Sequence, residues 1–77
     1  METIAYGSNG AFVEALQLAL YRSGYLTEQR SLDGIFGINT QNAVLRFQRA
    51  NVLTPDGIVG PATWRVLDTI GGGRPLI

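Results

Sequence analysis

The sequence predicts an all-α fold, a small three-helix bundle with two D-G-x-x-G turn repeats. Three observations predict it. Asp33-Gly34-Ile35-Phe36-Gly37 recurs twenty-three residues later as Asp56-Gly57-Ile58-Val59-Gly60, and each copy is followed in the same register by a threonine, Thr40 or Thr63. Three stretches carry apolar residues at helical spacing, separated by glycine-containing breaks. Finally, 77 residues with no cysteine and no histidine leave neither disulfides nor the usual zinc ligands to hold the chain. An apolar core must do so, and a hydrophobic content of 45% can supply one.

Residues 1–7 are expected to be irregular, with Ile4 and Tyr6 placed to pack back on the core. Gly7-Ser8-Asn9-Gly10 is a start signal with Ser8 or Asn9 as the capping residue. In the run to Ser23, Phe12, Val13, Leu16, Ala19, Leu20 and Ser23 share one face, with Glu14, Leu18 and Arg22 roughly opposite. Gly24 ends this first helix as a left-handed residue, and Tyr25-Leu26 re-enters the core. Thr27–Ser31 reads as a polar loop and the place to expect mobility.

The second helix spans about Ile38 to Ala50, with Thr40, Ala43, Val44 and Phe47 inward and Asn39, Asn42, Arg46 and Arg49 outward. A third helix starts at Pro61, because proline suits the first helical position, and buries Val66, Leu67 and Ile70 with Trp64 on the flank. Gly60 and, by the repeat, Gly37 then stand as N-caps, with Thr40 and Thr63 at the third helical position. Asp33 and Asp56 are expected to accept from unpaired N–H groups of the following first turn, where the helix dipole favours an anion. Gly71-Gly72-Gly73 stops the third helix, so residues 1–70 form one domain and 71–77 a flexible linker or tail. Strand content should be near zero.

Six basic and six acidic residues cancel, so charge gives no reason to expect nucleic acid or an anionic membrane as a partner. No stretch approaches the roughly 20 apolar residues of a membrane span. The start METIAYGSNG has neither the basic region nor the apolar run of a secretory signal.

The assembled motifs resemble the peptidoglycan-binding domain family, a three-helix module attached to many cell-wall hydrolases. The residues that carry the likeness are Gly7, Ser8, Gly10, Val13, Leu16 and Gln17; Gly24-Tyr25; Asp33 to Gln48; and Asp56 to Trp64 with Leu67. They span about residues 7 to 70. The resemblance implies a non-catalytic domain, here residues 1–70, that anchors an attached hydrolase to peptidoglycan at the cell wall or outside the cell. The domain is expected to be a monomer, with no cofactor, no metal, no nucleic acid and no membrane. One departure stands out: where the family usually has glycine after the second helix this chain has Val52, and Asn51 is expected to take the left-handed position.

A catalytic reading would rest on Asp33 and Asp56 as a carboxylate pair, but both are committed to helix starts in this scheme, which leaves no general acid. Binding asks less. Asparagine offers a paired donor and acceptor for N-acetyl amides, and arginine clamps a carboxylate in a fork. Asn39, Asn42, Arg46 and Arg49 present such groups on one helix face, beside a turn that leaves a groove near Tyr25 and Arg30; Tyr25 and Trp64 could add a stacking surface for sugar. The plainer account is a solvated helix face with an ordinary core tyrosine and tryptophan. Gln17 and Gln48, each following a core residue, are expected to bond loop backbone rather than ligand. The rival function is a protein-interaction or structural module that docks to its own catalytic domain or to a phage or spore assembly, through exposed Leu18 and Leu45.

Overall fold

A computed structural model describes residues 2–70, apart from the side chain of Ile70. The expected linker at 71–77 and the burial of Ile70 lie outside the described residues. Three α-helices, α1 (Ala11–Arg22), α2 (Ile38–Ala50) and α3 (Pro61–Ile70), are joined by the two glycine turns, and a single 3-10 turn, Gln29–Ser31, lies in the polar loop. α1 packs on both α2 and α3. No helix of the described chain is long and apolar enough to cross a membrane.

The core takes one stripe from each helix: Val13, Leu16, Ala19 and Leu20 from α1, Ala43, Val44 and Phe47 from α2, and Trp64 and Leu67 from α3. Between helices, Ile4, Leu26, Phe36 and Val59 close it. The isolated bridges Ile4–Val59 and Asn9–Ile35 are the extended pairing among the described residues. Each turn repeat is thus pinned by an N-terminal residue: Val59 exchanges backbone hydrogen bonds with Ile4 at 3.1 and 2.8 Å, and Phe36 donates to Ser8 O at 2.9 Å.

Four expectations about individual residues are corrected. Tyr6, in the segment before α1, is 62% exposed, and Phe12, in the first turn of α1, is 41% exposed, so neither joins the core. Trp64 is buried rather than flanking, since its indole Nε1–H donates to Glu2 O at 2.9 Å and holds the N-terminal segment against α3; Val66 is only half-buried. Neither Ser8 nor Asn9 caps α1: Gly10 occupies the N-cap with φ 115°, open essentially to glycine alone, and its N–H is tied to Gly34 O at 2.9 Å. The Ser8 hydroxyl instead accepts from Ala5 N–H at 3.1 Å.

The fourth concerns the end of α2. Asn51 has φ −109°, and the left-handed position falls to Val52 at φ 57°. The bonding pattern decides this: Leu53 N–H reaches Gln48 O at 2.8 Å and Val52 N–H reaches Arg49 O at 3.4 Å, a Schellman closure that needs the residue between to be left-handed. Asn51 uses its amide to bond Phe47 O at 2.9 Å and so remains on the helical side. The end of α1 closes the same way, with Gly24 at φ 86° and Tyr25 N–H on Leu20 O at 2.8 Å.

Candidate functional site

Each turn repeat is built around a buried glutamine. Gln17, with no exposed surface, accepts Gly34 N–H on Oε1 at 2.8 Å and presents Nε2 to Ile35 O (3.0 Å), Thr40 Oγ1 (3.0 Å) and Asp33 Oδ1 (3.1 Å). Gln48 repeats every bond with Gly57 N–H (3.0 Å), Ile58 O (2.9 Å), Thr63 Oγ1 (3.2 Å) and Asp56 Oδ1 (3.2 Å). A buried amide with two donors and an acceptor is stable only if matched in this way. The turn must therefore bring a free N–H and a carbonyl to the same point, and Gly34 and Gly57, at φ 75° and 76°, make that possible. A Cβ at Gly34 would also lie 3.1 Å from the Glu14 side chain.

The aspartates serve this arrangement and not the helices. Asp33 Oδ1 accepts Ile35 N–H at 3.0 Å and Asp56 Oδ1 accepts Ile58 N–H at 2.9 Å, both two residues on and still inside the turn. The N-cap of α2, Gly37, receives no side-chain cap, so the expected capping of α2 by Asp33 does not occur, and Asp56 is spent on the equivalent bond before α3. The reason is reach: a short side chain closes an Asx-type turn on its own backbone before it can span to the helix. The Ile35 N–H, with help from the Gln17 amide, holds the Asp33 carboxyl below the usual aspartate range. Gly37 and Gly60 each accept the first intrahelical bond, from Gln41 and Trp64 N–H at 2.9 Å.

Above the first turn lies a shallow cleft of about 350 Å³ lined by Glu28, Arg30, Ser31, Asp33, Ile35 and the start of α2 from Gly37 to Thr40. It adjoins a second, about 210 Å³, lined by Tyr25, Leu26, Thr27, Asn39, Asn42 and Arg46, with Glu28, Ser31 and Asn39 common to both. Tyr25, Arg30, Asn39, Asn42 and Arg46 are thereby brought onto one continuous groove. Trp64 is not. At 4% exposure, with its N–H bonded, it offers no surface to a ligand. Arg46, expected on an outward, solvated face, has a structural partner as well, donating from Nη2 to Tyr25 O at 2.7 Å. Arg30 makes an exposed 3.3 Å ion pair with Glu28. The Tyr25 ring stands perpendicular to Phe47, with centroids 5.4 Å apart. Glu28 and Ser31 were not singled out from sequence, and only the shape of the loop places them at the groove.

The second turn has a matching cleft, about 370 Å³, formed by Asp56, Ile58 and Gly60 to Thr63 with Val52, Leu53 and Thr54. Eight of its residues stand twenty-three positions after a residue of the first cleft. Its chemistry differs, since the apolar Leu53 and Ala62 stand where the first has Arg30 and Asn39. Charged and amide groups therefore line the first groove and are fewer at the second. Of the two leucines that would serve a docking module, Leu18 is 40% exposed, whereas Leu45 is half-buried.

Residues 9–67 match the family model for the peptidoglycan binding domain. The zinc D-Ala-D-Ala carboxypeptidase of Streptomyces albus G is 44% identical over 62 residues, 80% of this chain and 24% of that protein. The N-acetylmuramoyl-L-alanine amidase CwlM of Mycobacterium tuberculosis is 40% identical over 70 residues, 86% of this chain and 17% of that protein. Among solved structures, the SleB N-terminal domain matches with a TM-score of 0.83 at 34% identity, covering 88% of this chain and 90% of that one. The chain spans about half, or less, of the length of the curated relatives it matches.

Proposed function

The chain belongs to the peptidoglycan-binding domain family, and from that premise we propose that it holds a linked catalytic domain to the bacterial cell wall, binding peptidoglycan through the Tyr25–Arg46 groove and catalysing nothing itself. The observation that carries the placement is the convergence of Arg30, Asn39, Asn42 and Arg46 on two adjoining clefts. Amide and guanidinium groups match the N-acetyl amides and peptide carboxylates of that polymer. A shallow site suits the task, because repeats along the polymer and tethering to an enzyme multiply a weak affinity.

The non-catalytic reading is supported by the aspartates, each committed to a turn N–H and a glutamine amide. Hydrogen bonds that hold Asp33 ionised oppose any role for it as a proton donor. A linked catalytic domain and a place at or outside the cell surface are supported by the longer enzymes it resembles, a carboxypeptidase and an amidase.

The test is co-sedimentation with purified cell-wall sacculi. The parent domain should be retained, and Asn42→Ala with Arg46→Ala should weaken retention by more than about tenfold, the cost of two desolvated polar contacts. Both side chains are exposed, and the one structural bond given up, Arg46 to Tyr25 O, is worth about 0.5–1.5 kcal/mol, so melting should fall by no more than about 10 °C. Undiminished retention of a well-folded double variant would move the site off this groove, and no retention of the parent would refute the function.

A further inference from the structure

Resting on that reading, we propose that the groove recognises the wall through the free carboxylate of its peptide stems, with Arg46 as the anchor, and not through the sugar rings of the glycan.

The aromatic surface decides against sugar. Flat stacking needs an open ring face, and Phe36, Phe47 and Trp64 are buried to 4% exposure or less. The exposed rings, Tyr6 and Phe12, do not line either cleft. Tyr25, the aromatic residue on the groove, is half-buried and packed against Phe47.

Charge and pre-organisation argue for a carboxylate. Arg46 has no acidic partner: among the described residues the ion pair is Arg30–Glu28. Its guanidinium is nonetheless held in place, since one N–H bonds Tyr25 O at 2.7 Å and leaves the rest of the fork for a ligand. A side chain already fixed loses less freedom on binding, and a carboxylate can accept two parallel bonds from it. A neutral sugar would offer the fork hydroxyls in place of an anionic acceptor, and the acidic Glu28 on the same cleft is already paired with Arg30. Asn39 and Asn42 flank the same cleft and can pair with backbone amides of an extended peptide.

The experiment titrates the domain calorimetrically with four probes: a soluble stem peptide with a free C-terminal carboxylate, the same peptide amidated at that end, an oligomer of N-acetylglucosamine, and intact sacculi in a pull-down. The free-acid peptide should bind, amidation should weaken it by about tenfold, and raising ionic strength from about 0.05 to 0.5 M should weaken it severalfold through screening. Arg46→Ala should abolish the preference for the free acid, and Arg46→Lys, which keeps the charge and loses the fork, should retain part of it. The sugar oligomer should not bind at the same concentrations. Equal binding of acid and amide, tighter binding of the sugar oligomer, or no peptide binding by a domain that sacculi retain would each overturn the carboxylate assignment and leave wall binding intact. Failure of sacculi to retain the domain would overturn the reading beneath it.

Discussion

Replacing Gln17 by leucine tests the hub of the first turn. The two side chains are similar in volume, so the change removes polarity with little change in packing. Gly34 N–H then has no partner in the interior, at a cost of about 1–3 kcal/mol, and the bonds to Thr40 and to Ile35 O are lost at about 1 kcal/mol each. Ile35 O keeps the Gly37 N–H at 3.0 Å, so it is not orphaned. The added apolar burial returns about 1–2 kcal/mol. The net loss is about 2–3 kcal/mol, a large share of the stability of so small a domain. At roughly 4–8 °C per kcal/mol, melting should fall by about 10–20 °C. The single tryptophan, Trp64, is buried and reports unfolding by fluorescence. Gln17→Glu should be worse at pH 7, since a second carboxylate faces Asp33 Oδ1, and should recover partly on acidification as one of the two takes a proton. A leucine variant melting within about 4 °C of the parent, which corresponds to less than 1 kcal/mol, would refute the account of the turn.

Three further outcomes follow from the geometry. Val52→Gly should stabilise: relief of left-handed strain is worth about 1–2 kcal/mol, glycine's greater unfolded-state freedom offsets about 0.5–1, and at 93% exposure Val52 forfeits no packing; a lower melting temperature would contradict it. Asp33, with its carboxyl held below the ordinary range, contributes stability that is present above the unfolded aspartate value near 4 and is lost as pH falls through its folded value. Asp33→Asn should therefore flatten part of the acid limb of urea midpoint against pH, and an unchanged limb would contradict the hydrogen-bond assignment. Trp64→Phe should destabilise and speed amide exchange at Ile4 by releasing the Glu2 carbonyl, while leaving sacculus retention unchanged; impaired retention by the folded variant would reinstate Trp64 as a ligand residue.

The helices were legible because their limits are set by neighbours in sequence. Pro61 can begin a helix and cannot sit inside one, Gly24 closes α1 through bonds three and five residues long, and the 3.6-residue spacing of Thr40, Ala43, Val44 and Phe47 leaves α2 one face to bury. The duplicated turn was equally plain, and with it the commitment of Gln17 and Gln48 to loop backbone. The short-range rule misled where two local partners competed. Asp33 could bond the helix or its own turn, and the nearer N–H won. Asn51 and Val52 could each have taken the left-handed position, and the closure onto Gln48 chose the residue sterically less suited to it.

What the sequence by itself determined is the set of elements, their order and the side chains that carry amide and guanidinium groups. Only tertiary structure decided which of those residues meet. Trp64 became core because a carbonyl sixty-two positions away, at Glu2, stands where its N–H points. Arg46 became a fixed fork because Tyr25 O, from the loop after α1, lies 2.7 Å from it. Glu28 and Ser31 joined the groove because Leu26 is buried and draws the loop over the start of α2. Local propensity acts over a few residues and can be read along the chain, whereas exposure and partnership are properties of surfaces that exist only once distant segments have packed.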